Sequence, residues 1–66
     1  MNSENDFKQK ARAREALVKS AHFAHRQGVT QDFWMKHPAV QKIKFDFRLR
    51  DDILLHIAAF VWTFSK

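Results

Sequence analysis

Residues 43–49, Ile43-Lys44-Phe45-Asp46-Phe47-Arg48-Leu49, decide the fold class. The apolar members Ile43, Phe45, Phe47 and Leu49 alternate with Lys44, Asp46, Arg48 and, one step beyond, Arg50, which is the period of a half-buried strand. The same residues also continue a helix that opens at Pro38 and gathers Ala39, Val40, Ile43 and Phe47 on one side. A lone strand leaves its backbone N–H and C=O groups unpaired, and no second segment of the chain resembles a partner strand. The reading therefore leans to an all-α domain of three or four helices. The strand stays open in one form, an α domain with one short strand over about residues 43–49 that pairs with its copy across a dimer.

Downstream of this stretch, Asp51 or Asp52 is placed to cap a last helix reaching about Phe64. Ile53, Leu54, Leu55, Ile57, Ala58, Ala59, Phe60, Val61, Trp62 and Phe64 occupy nearly its whole circumference. One first helix from the same chain can hardly cover such a surface. A dimer or partner interface is expected at Leu54, Ile57, Phe60, Val61, Trp62 and Phe64. His56 shares the only polar sector with Asp52 and Thr63 and reads as a hydrogen-bonded edge residue. The apolar run is well short of the ~20 residues that span a bilayer, so no integral membrane segment is expected. Asn2, Ser3, Glu4, Asn5 and Asp6 lack the basic start of a signal peptide, which favours a cytoplasmic protein.

Upstream, Pro38 biases His37 away from helical angles, so the helix that Thr30 caps must be short. It carries Asp32 in its first turn and presents Phe33, Trp34 and Met35 together. Before it, a first helix starts near Ser3 and Asp6 and runs to about Gln27, where Gly28 serves as its C-cap. Phe7, Ala11, Leu17, Val18, Ala21 and Ala24 form its broad apolar face. Lys8, Arg12, Lys19 and Arg26 form a narrow stripe beside that face, with Glu15 the one acid among them. The stripe covers about 27 Å at the helical rise, a reach that includes several phosphates. It is equally the ordinary wet coat of a solvent-facing helix.

The turn itself carries a motif: Ala24, three residues, then Gly28, Val29, Thr30 and Gln31. Over about Phe23 to Trp34 it resembles the helix-turn-helix of phage-type repressors, in which a small residue lets two helices approach, Gly makes the turn and an apolar residue plugs the corner. The resemblance implies that Thr30, Gln31 and Lys36 approach bases in a major groove while Arg26 holds phosphate. Two features depart from the family: Trp34 stands where a branched aliphatic is preferred, and Pro38 cuts the second helix short.

With 66 residues, the chain is one small domain over residues 1–66. A domain of this size buries only ~60 % of its unfolded surface and often recovers stability from disulfides, metal or association. There are no cysteines, which excludes disulfides and thiolate zinc sites and leaves association. Seven Phe and two Trp are too many for a disordered tail, and one Gly with one Pro leaves few positions for hairpin turns. The net charge of +5 is concentrated in residues 1–50, while residues 51–66 hold only Lys66 against Asp51 and Asp52.

Catalysis is not expected. Ser3 and Ser65 lie at the ends, Ser20 points away from His22 on a helix, and there is no Tyr or glycine-rich phosphate loop. His22 and His25 lie one turn apart but lack a third ligand at any recognisable spacing, so no metal and no cofactor is expected. The composite expectation is a small, basic, dimeric nucleic-acid-binding regulator contacting its target through Lys8, Arg12, Lys19, Arg26, Thr30, Gln31 and Lys36. Its rival is a protein-binding adaptor or inhibitor that works through Phe33, Trp34, Met35 and the C-terminal helix.

Overall fold

A buried strip of small residues explains how the longest helix packs. In the computed structural model, which describes residues 3–64 and their side chains from Phe7 onward, α1 spans Ser3–Arg26. Ala13, Leu17, Ala21 and Ala24 recur every three or four residues along it, so they share one side, and all four are buried. Three alanines among the four allow close approach of the neighbouring helices. The expected cap by Ser3 and Asp6 rests on side chains outside the described residues.

α1 stops one residue before the expected Gln27. Gly28 N–H then donates to His25 C=O at 3.1 Å and Val29 N–H to Ala24 C=O at 2.9 Å, the two bonds of a Schellman turn. Gly28 sits at φ +81°, and a Cβ there would meet nothing within 4 Å. Its requirement is therefore backbone freedom and not space.

Thr30 ends this turn and caps α2 (Gln31–Lys36), its Oγ1 accepting from Phe33 N–H at 3.2 Å. Pro38 limits α2 to six residues by holding His37 extended, at φ −63° and ψ 136°. His37 then caps α3 (Pro38–Asp46), its Nδ1 accepting from Ala39 N–H at 3.1 Å, with Pro38 in the first turn where no N–H is needed. A second turn of the same hydrogen-bonded type, with Arg48 at φ 53°, leads into α4 (Asp51–Phe64). Asp51 and Asp52 lie inside the first turn of α4 and do not occupy the expected cap position; Ile53 N–H closes onto Arg50 C=O at 3.1 Å. Their negative charge favours the positive end of the helix dipole.

The domain is all-α with four helices, and no strand occurs among the described residues. Residues 43–46 are helical, so the ribbon alternative is corrected. The alternation of Ile43, Phe45, Phe47 and Leu49 does not mark one face: Phe45 is 81 % exposed while Leu49 is buried.

The core joins the α1 strip to Trp34, Val40, Leu49, Leu54, Ile57, Ala58 and Val61. The indoles of Trp34 and Trp62 lie 5.8 Å apart, and each N–H is satisfied, by Ser20 Oγ and by Val29 C=O respectively, both at 3.1 Å. These two bonds tie α2 to α1 and α4 to the first turn. One expectation is corrected: Phe7 is exposed and does not join the apolar face of α1, where the first buried side chain among the described residues is Ala13. α1 and α2 both pack on the last helix and bury Leu54, Ile57, Ala58 and Val61, while Leu55, Phe60 and Phe64 stay exposed.

Candidate nucleic-acid interface

Lys8, Arg12, Lys19 and Arg26 are all exposed on α1. At about 100° per residue they fall within roughly 40° of the direction opposite Leu17, the residue at the centre of the buried strip. The stripe therefore points directly away from the core. Glu15 pairs with Lys19 at 3.5 Å, and both groups are largely exposed. Arg12 and Arg26 have no acidic partner among the described residues.

Around the first turn, Thr30 is exposed, Gln31 is half-buried, and Lys36 pairs with Asp32 at 3.2 Å. Thr30 accepts one bond at the cap, leaving its hydroxyl hydrogen and a second lone pair to offer. The centre of α2 is Trp34, 2 % exposed and bonded to Ser20. What α2 presents outward is Asp32, Phe33 and Lys36, on a helix about 9 Å long. Arg26 closes α1 four residues before Thr30, so a cation and a helix start do flank one turn.

The residues expected to form an interface separate into two sets. Leu54, Ile57 and Val61 are buried in the chain's own core, and Trp62 is half-buried against Trp34 and the edge of His25, whose ring centroid is 5.6 Å away. Phe60 and Phe64 are 58 % and 72 % exposed, with ring centroids 5.5 Å apart. They form a tilted aromatic pair, with ring planes 45° apart, on the flank of α4 away from Trp62.

A further feature has little signal in the sequence. Phe23 on α1 and Phe33 on α2, each 63 % exposed, stand at the mouth of an open groove of about 320 Å³. Ala24, Val29, Trp34, Ala39 and Val40 supply the rest of its apolar lining, and Ser20, Gln27 and His37 its polar part. Phe23 sits four residues after Lys19 and three before Arg26, so those cations are its neighbours on the helix surface. Lys36 follows Phe33 by three residues on α2. The one clue in the sequence is an aromatic residue interrupting the basic side of the first helix.

No group of three or more metal-ligating side chains occurs among the described residues. None of their helices is long and apolar enough to cross a membrane. Comparison with protein-family models, with curated proteins and with solved structures finds no match.

Proposed function

We propose that this chain is a non-catalytic binding protein that holds nucleic acid through the outward face of α1. The observation that carries the reading is the row Lys8, Arg12, Lys19 and Arg26, exposed and facing away from the core along about 27 Å of helix. A phosphate backbone attracts such a row without any base contact, and the released counterions drive association. The row does not need α2 as a recognition helix. This matters because α2 is six residues long with its central tryptophan buried.

Salt dependence tests the reading. The logarithm of the association constant should fall linearly with the logarithm of salt concentration, with a slope of about −0.7 to −0.9 per neutralised phosphate. Arg12→Gln and Arg26→Gln should each make that slope shallower by about one unit and weaken all sequences alike. A wild-type protein that binds neither single- nor double-stranded oligonucleotide at low salt sinks the proposal.

The rival protein-binding reading loses Trp34 and much of Met35 to the core and retains Phe33 together with Leu55, Phe60 and Phe64 on the C-terminal helix. The dimer narrows to Phe60 and Phe64, the members of its expected interface that are left exposed. Because Phe60 lies outside the core, Phe60→Glu should keep the helical fold and reduce sedimenting mass from dimer to monomer. An unchanged mass would remove the dimer from the proposal.

A further inference from the structure

The row of cations accounts for phosphate binding, but it leaves the aromatic groove beside it without a role. Phe23 and Phe33 are large apolar rings held in water, on two different helices, over a floor of Trp34 and Val40. Each leaves 63 % of its surface in water, and Phe33 also meets the ring of His37, with centroids 6.3 Å apart. Both lie within one helical turn of a cation: Lys19 and Arg26 for Phe23, Lys36 for Phe33. Lys19 and Lys36 also hold carboxylates at 3.5 and 3.2 Å, but these ion pairs are exposed. Such pairs contribute little, so a phosphate oxygen can compete for either lysine.

We propose that this groove receives the bases of a single-stranded nucleic acid, stacked on Phe23 and Phe33, while its phosphates follow Lys19, Arg26 and Lys36. The inference rests on the nucleic-acid reading above and narrows its substrate class. The charge pattern favours this occupant. A strand joins planar apolar bases to anions, and this apolar groove is flanked by cations that lie one helical turn from each exposed ring. A duplex keeps its base faces stacked inside and offers the groove only its backbone. An apolar protein segment would fill the groove but leave the flanking Lys19, Arg26 and Lys36 without a role. Base–aromatic stacking tolerates any sequence, because every base has a π face, so little sequence preference is expected. His37 at the groove edge and the exposed Gln27 nearby are the polar groups placed to meet base edges.

Fluorescence anisotropy of the full chain with a labelled oligothymidine, and with a duplex of equal length, tests this at two salt concentrations. The single strand should bind at least about tenfold tighter than the duplex. Phe23→Ala and Phe33→Ala should each weaken single-strand binding by roughly tenfold, within the range expected for loss of one stacked base, while leaving duplex binding and the salt slope unchanged. Arg26→Gln should instead flatten the slope for both. Since both rings are exposed, the variants should retain their helical circular dichroism, and Phe33→Trp should restore binding lost in Phe33→Ala. If single strand and duplex bind equally and the alanine variants match the wild type, the inference is overturned while phosphate binding stands. If neither oligonucleotide binds at low salt, both readings fall. A purified protein ligand that occupies the groove with salt-independent affinity and is not displaced by oligothymidine would also overturn it.

Discussion

α1 and α3 end in the same backbone pattern. Arg48 N–H donates to Phe45 C=O at 3.2 Å and Leu49 N–H to Lys44 C=O at 2.9 Å, repeating the bonds that Gly28 and Val29 make after α1. Each turn places one residue in the left-handed region, at φ +81° for Gly28 and 53° for Arg48, and follows it with an apolar residue directed at the core. What enforces the geometry differs. Glycine adopts that conformation freely, whereas a side chain makes it costlier by about 1–2 kcal/mol. The second turn is therefore held from outside, by the buried Leu49 and by Lys44, whose mostly covered side chain carries an ammonium that donates to Asp51 at the start of α4. One turn is written into its own residue; the other is imposed by packing.

The sharpest way to break this contrast is to remove the apolar residue that follows each turn. Leu49→Ala takes a buried side chain from the core and removes what holds Arg48 in place, so chemical denaturation should show a loss of about 2–4 kcal/mol. Val29 is only half-buried and its turn has Gly28, so Val29→Ala should cost about 1 kcal/mol. Equal losses at the two positions would mean that both turns are set by packing.

The same contrast explains which parts of the fold can be read from residues alone. Gly28, Thr30 and Pro38 each carry their own backbone instruction: a positive φ, a capping oxygen, a fixed ring. The turn, the short α2 and the start of α3 follow from them. No such residue marks the end of α3. Arg48 offers no hint of a left-handed conformation, and the apolar alternation of residues 43–49 runs straight across the helix end, so the residues alone only lean to helix and the strand stays open until residues 43–46 are seen to be helical. The candidate site divides in the same way. The cation row emerges from helical spacing within one element. The groove does not, because Phe23 and Phe33 come from different helices and line one groove only once α2 is packed on α1, with Trp34 inward and bonded to Ser20. For the last helix, an apolar circumference signalled a partner, but it could not tell which residues α1 and α2 would take first.

Exchanging the chemistry at the two left-handed positions gives the finest test. At Gly28 a Cβ meets no neighbour, so Gly28→Ala isolates the backbone penalty and should destabilise by about 1 kcal/mol. At Arg48 the reverse change relieves that penalty, but three terms oppose it. The unfolded chain gains freedom from a new glycine, worth about 0.4–1 kcal/mol. A cation near the C-terminal end of α3 is lost, worth about 0.3 kcal/mol or more at an exposed site. The apolar stem of Arg48 no longer shields its surroundings, a small effect for an exposed residue. Arg48→Gly should therefore raise stability by only about 0.5 kcal/mol, with the denaturation slope unchanged. Its sign matters more than its size. A loss of stability would mean that Arg48 makes a contribution beyond its backbone, and that the second turn is not the strained counterpart of the first.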